Sequence, residues 1–194
     1  MPEQHNQSGM TLVEILVAMV MMGIIITGIY NLFRVHNLMA AKQEETTMMQ
    51  QELLTSLADI SDEIRMCGFS RSKTSPFGLN ASATNATSIY CTREISFSNN
   101  STNIIGYRLD NQKQILVYIP TTDTWEPAAS NISDLRFTYY DDEGNTIEPN
   151  ATNLSDVRIV EINATAIPSP ERSGLKIHSR NMHTRIWMRN LGLN

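Results

Sequence analysis

The spacing of hydrophobic positions changes twice along the chain. From Ile15 to Ile26, twelve consecutive residues carry no charge and no strong polar group, and the run continues more weakly through Thr27–Phe33. Met10–Phe33 is 24 residues, about 36 Å as a helix and enough to cross a hydrocarbon core of about 30 Å. Met49, Leu53, Leu57, Ile60 and Ile64 then recur at spacings of four, four, three and four, one apolar stripe on a helix. Between them Gln50, Gln51, Glu52, Ser56, Asp59, Asp62 and Glu63 read as a solvated or sheet-rim face. No proline falls between Glu3 and Ser75. The pattern therefore predicts one helix from Thr11 to about Met66, with room for an interruption near 40–46 and Gly68 as its stop.

After the helix the period shortens. Ser70–Ser88 is rich in Ser, Thr and Asn, contains Pro76 and Gly78, and reads as a loop. Ile89–Cys91 and Glu94–Phe97 are short strand candidates. Ile104–Leu109 and Gln114–Ile119, separated by Asp110–Lys113, predict a hairpin. Leu135–Tyr140 alternates and ends at Asp142-Glu143-Gly144-Asn145. Val157–Ile167 is the longest strand-like run. Thr184–Arg189 places Ile186 and Met188 on one face and Arg185, Trp187 and Arg189 on the other. The order predicts an α+β fold: a long N-terminal transmembrane and amphipathic helix packed on a mainly antiparallel sheet of five to seven strands.

Composition narrows the function. The net charge is −5 and no Lys/Arg cluster occurs, which argues against a nucleic-acid partner. Lys176, Arg180, Arg185 and Arg189 are spaced as a solvated strand face would space them. Asp141–Asn145 lacks the ligand spacing of a calcium loop and reads as an acidic hairpin tip. His178 and His183, five apart in one continuous strand, would point to opposite faces, so no metal site is expected. No nucleophile elbow, phosphate-cradling loop or zinc-protease motif is present, so no catalysis and no cofactor is expected. The Asn-x-Ser/Thr sequences at Asn80, Asn85, Asn131, Asn150 and Asn163 read as polar loop composition. Trp125, beside Pro127, and Trp187 read first as packing residues and second as surface anchors. Cys67 and Cys91 are either free half-buried thiols or, outside the cytoplasm, a disulfide worth about 3 kcal/mol.

One residue does not fit a plain membrane helix. Glu14 lies about a turn inside the apolar run, where a carboxylate costs about 2.5 kcal/mol or more unless partnered. A secretory signal has its small-residue cleavage site after the apolar centre, whereas Gly9 precedes it. Cleavage after Gly9 would free an α-amine on Met10, cationic at neutral pH, one helical turn from Glu14.

Gly9-Met10-Thr11-Leu12-Val13-Glu14 followed by the apolar run resembles the class III signal of type IV pilins and pseudopilins. The resemblance implies cleavage after Gly9 by a prepilin peptidase, N-methylation of Met10, and Glu14 as the carboxylate that guides assembly. Met10 stands where Phe is commoner in the family, and the leader Met1–Gly9 carries no Lys or Arg. Asp62–Phe69, Ile105–Leu109 and Thr184–Leu191 also resemble the PilW-type minor pilins and the J-type pseudopilins. The implied organisation is a leader at 1–9, a transmembrane and filament-core helix at 10–33, its amphipathic continuation at 34–68 and a periplasmic β-rich head at 69–194. The implied role is a minor pilin acting in pilus priming or at the fibre tip. A J-type pseudopilin of a type II secretion system is the alternative, and a membrane-anchored adhesion or DNA-uptake module is one of another class. The implied partners are other major and minor pilins, the prepilin peptidase and the inner-membrane assembly platform. The chain is expected first in the inner membrane, with its leader cytoplasmic and its head periplasmic, then in a pilus or pseudopilus at the cell surface.

Overall fold

The structure, a computed structural model, describes residues 11–70, 78–94, 102–149 and 153–191. One α-helix, α1, spans Leu12–Arg65. Among the described residues eight strands follow: β1 Ser88–Glu94, β2 Thr102–Leu109, β3 Ile115–Ile119, β4 Thr124–Ala129, β5 Ile132–Tyr140, β6 Thr146–Ile147, β7 Ile159–Ala166 and β8 Arg180–Trp187. The chain divides into two compact units, Met1–Glu44 and Glu45–Asn194. In the first, α1 exposes its apolar side chains all round, as at Leu16, Met22, Ile25 and Phe33. This segment is long and apolar enough to cross a membrane.

In the second unit the amphipathic stripe forms the core. Met49, Leu53, Leu57, Ile60 and Ile64 are all buried, and they pack with Ile105, Tyr107, Ile115, Leu135, Phe137 and Ile162. The helix has no break at 40–46. It ends where Gly68 takes φ 75°, the left-handed conformation a side chain resists, with its N–H on the Thr92 carbonyl at 3.1 Å. A Cβ on Gly68 would also stand 2.9 Å from the Leu191 side chain.

The fold class is as expected, an α-helix on antiparallel β-structure, but there are two four-stranded sheets rather than one. Their orders are β1-β2-β3-β4 and β6-β5-β7-β8, and every pairing is antiparallel. Backbone bonds tie β5 to loops around the first sheet: Ile132 N–H to Lys113 O at 2.9 Å and Phe137 N–H to Ala86 O at 2.8 Å. The β2–β3 hairpin forms as expected, its turn held by Asp110 Oδ1, which accepts the N–H groups of Gln112 and Gln114. Ile89–Cys91 and Glu94 belong to one strand, β1, and the remainder of the second candidate, 95–97, lies outside the described residues. Among the described strands β5, at nine residues, is longer than β7 at eight.

The first sheet carries a cross-strand aromatic row on the face away from the core. Tyr90 pairs with Gly106, and Tyr118 with Trp125. The Trp125 ring meets Tyr90 edge-on at 5.4 Å and Tyr118 at 5.5 Å, and the Arg108 guanidinium lies 4.1 Å from the Trp125 ring centre. Gly106 makes room for the rings: a Cβ there would stand 3.1 Å from Trp125 and 3.1 Å from Tyr118. Trp125 is thus a packing residue in β4, whereas Trp187 is 56% exposed.

Candidate functional site

The carboxylate singled out by the sequence sits in a reciprocal cap. Glu14 Oε2 accepts the Thr11 backbone N–H at 2.9 Å and the Thr11 hydroxyl at 3.0 Å, while the Glu14 N–H donates to Thr11 Oγ1 at 3.3 Å. Thr11 is the residue before α1 and Glu14 its third residue, the spacing of a capping box. Two of the helix's unpaired N–H groups are satisfied this way. The carboxylate also stands at the positive end of the helix dipole. Thr11-x-x-Glu14 is a local signature, visible in the sequence beside the stronger cleavage pattern and missed there. Glu14 therefore has a partner inside its own chain without any cleavage.

Gly9 and Met10 lie outside the described residues. What the structure places is the segment behind them. Beyond the cap, α1 offers exposed Leu, Ile, Val and Met on every side, with Gly23 and Gly28 open to solvent. Thr27, within this run, donates its hydroxyl to the Gly23 carbonyl at 2.8 Å and so hides its polarity within the helix. Such a surface needs lipid or other apolar helices around it.

Cys67 and Cys91 are joined in a disulfide, with Cα atoms 5.6 Å apart, and both residues are fully buried. The bond ties the C-terminal end of α1 to the middle of β1. Two backbone bonds just beyond it reinforce the tie, Gly68 N–H to Thr92 O and Glu94 N–H to Phe69 O. Three carboxylates of α1 make further ties. Glu45 accepts the Ser169 N–H at 2.8 Å and lies 3.5 Å from Arg172. Glu52 accepts the Ser130 N–H at 2.6 Å. Glu63 lies 2.8 Å from Arg93, a Coulombic contact whose N–H groups are not aimed at the carboxylate. Of these, Glu52 and Glu63 fall on the face read as solvated or sheet-rim, and it is the rim that they serve.

The remaining candidates have structural employment. Asp141 binds Asn145 through both carboxylate oxygens at the β5–β6 turn, and these bonds, the Asn145 side chain first, hold its pKa below the usual carboxylate value. His183 is in β8, but His178 precedes that strand, so the two do not share one as expected. Asn80 and Asn85 cap turns through their side-chain oxygens, and the Tyr139 hydroxyl donates to the Asn85 carbonyl at 2.9 Å. Burial pushes the Tyr139 phenol well above its ordinary pKa.

Residues 4–30 match the family model described as the prokaryotic N-terminal methylation motif. No curated protein matches the chain. The matched segment contains Gly9, Met10, Thr11 and Glu14 and most of the exposed apolar helix. It supports a likeness to the type IV pilin-like superfamily and a prepilin-peptidase-type substrate.

Proposed function

We propose that this chain is a minor pilin of a type IV pilus, cleaved after Gly9, N-methylated on Met10, and acting in pilus priming or at the fibre tip. The observation that carries the reading is the methylation motif at 4–30, set on a helix whose whole apolar circumference is exposed. The leader is cytoplasmic and the head periplasmic before assembly, and no reaction is catalysed. The partners are major and minor pilins, the prepilin peptidase and the inner-membrane assembly platform. The helix leaves lipid for a bundle of similar helices, and Glu14 pairs with the methylated amine of a neighbouring chain. The capping box supports this geometry by folding the Glu14 carboxylate back toward the start of the helix, where cleavage creates the cation. It also lowers the cost of Glu14 in lipid before that neighbour arrives.

A minor pseudopilin of the J type shares every one of these features, and purification with either a pilus or a secretion pseudopilus separates the two. Glu14→Ala is expected to leave cleavage and anchoring intact and to abolish incorporation into the fibre. Normal incorporation of that variant overturns the assembly role. Intact mass of the mature protein tests processing: a chain beginning at N-methyl-Met10 is expected, with two hydrogens lost to the disulfide.

A further inference from the structure

The carboxylates along one side of α1 are only partly compensated. Glu45, Glu52, Asp59 and Glu63 follow one another at helical spacings of seven, seven and four. Glu45 faces Arg172, and Glu63 faces Arg93. Glu52 accepts only a neutral donor, the Ser130 N–H, and Asp59 is exposed. Among the described residues neither of these two is in an ion pair.

Glu52 and Asp59 line a groove of about 490 Å³ between α1 and the first sheet. The opposite wall takes one residue from each of three strands, Tyr107 of β2, Ile115 of β3 and Ala128 of β4. Ile60 and Ile115, both buried, make the groove apolar at its base. Among the described residues no Lys or Arg lines it. Glu45 and Glu63, with their arginines, fall outside the lining.

A buried polar group in the same groove points to a ligand. Tyr107 is only 5% exposed, yet its hydroxyl has no hydrogen-bond partner among the described residues and is not sealed from the groove. Burial first, then the Glu63 and Asp59 carboxylates, raise the pKa of this phenol, with Arg93 opposing. The hydroxyl thus stays neutral and able to accept a hydrogen bond from a cationic N–H. Seven residues of helix set Glu52 and Asp59 about 10.5 Å apart along the axis. That is too far for one metal ion or one ammonium to serve both. Two basic side chains three residues apart on an extended segment, about 10 Å, match it.

We propose that this groove docks a basic segment of a different protein through two of its lysine or arginine side chains. Their aliphatic stems lie over Ile60 and Ile115. One cation sits between Asp59 and the Tyr107 hydroxyl, and the other meets the Glu52 oxygen that Ser130 does not hold. A second copy of this chain is disfavoured as the occupant, because each carries a net charge of −5. The proposal does not rest on the pilin reading, because its residues all lie in the Glu45–Asn194 unit and none takes part in processing.

The test uses the full-length protein in phosphatidylcholine nanodiscs and a fluorescein-labelled octapeptide of serine and valine with two lysines three residues apart. Binding is read by anisotropy against empty nanodiscs. Saturable binding is expected, at least about tenfold tighter than that of the same peptide with both lysines acetylated. Tyr107→Phe removes only a hydroxyl that the fold does not use. It is expected to weaken binding about tenfold with an unchanged melting temperature. Asp59→Asn, and Glu52→Gln, which keeps an acceptor for Ser130, are each expected to weaken it about threefold or more. Asp142→Asn removes the same charge at the exposed β5–β6 turn and is expected to leave binding unchanged. Absence of saturable binding, equal affinity for the acetylated peptide, indifference to Tyr107→Phe, or an equal effect of Asp142→Asn overturns the proposal. So does self-association of the protein that Tyr107→Phe abolishes, which would make the occupant a second copy.

Discussion

The Glu45 carboxylate accepts the Ser169 backbone N–H at 2.8 Å, joining residues 124 apart in sequence. Glu45 is buried, and its other oxygen faces Arg172. Glu45→Ala takes the acceptor from the part-buried Ser169 N–H and removes a carboxylate from beside Arg172, at a cost of about 1–3 kcal/mol. Glu45→Gln keeps an acceptor and is expected to cost less. Chemical denaturation of both variants checks the order, and equal loss would show that charge rather than the hydrogen bond matters.

Leu53 and Leu54 are adjacent on α1, yet the first is fully buried and the second is mostly exposed. Leu53→Ala is expected to destabilise the head by about 2–5 kcal/mol through a core cavity. Leu54→Ala is expected to change it by no more than about 0.5 kcal/mol. Urea midpoints measured on the two variants distinguish a packed stripe from a generally greasy helix.

The Cys67–Cys91 bond closes a loop across a sequence separation of 24. Breaking it is expected to cost about 3 kcal/mol, mainly by releasing the unfolded chain. Denaturation with and without a reductant measures this directly. A double alanine variant should match the reduced protein.

Arg185 hydrogen-bonds Glu161, and this bond, ahead of the opposing effect of burial, holds the Glu161 pKa below its ordinary value of 4.5. The carboxylate therefore stabilises the fold at pH values above about 4.5, and that contribution fades as pH falls through the lower folded-state value. The stability difference between the native protein and Glu161→Gln should be constant near neutral pH and shrink in acid. A difference that grows in acid would contradict the pairing. The pair is on the surface, so raising the salt concentration should also diminish it.

Thr11 and Glu14 separate two roles for one carboxylate. Thr11→Ala removes the hydroxyl from the cap but leaves Glu14 available to a neighbouring chain. It is expected to retain fibre incorporation that Glu14→Ala loses. Equal loss in the two variants would make the helix cap, not an intermolecular pair, the part that matters.

Local pattern made some of this fold legible and long-range pairing concealed the rest. The buried stripe Met49–Ile64 repeats at helical spacing and needs no partner to be recognised. The β2–β3 turn is legible because Asp110 binds its own neighbours. β4 was invisible because Pro127 and Glu126 interrupt any strand pattern, and only its pairing with β3 makes Thr124–Ala129 a strand. β6 is two residues that exist as a strand solely through Tyr139 and Tyr140. Two sheets rather than one follow from which strands meet, and alternation in a single strand carries no such information. Glu45 carries no local signal, since its partner Ser169 lies far away in sequence. At the candidate site the cleavage and carboxylate pattern was plain, while the Thr11–Glu14 cap was overlooked beside it.

The junction at Cys67 also has a mechanical meaning. A pull along α1 tends to peel the helix from its sheets, one buried residue after another, starting at Glu45. Peeling stops at Cys67, where the next link is a covalent bond to β1. From there tension passes through the sulfur atoms to Cys91, and the chain between the two cysteines is bypassed. The turns capped by Asn80 and Asn85 lie within that sheltered loop, so they keep their shape while the strand beside them bears the load.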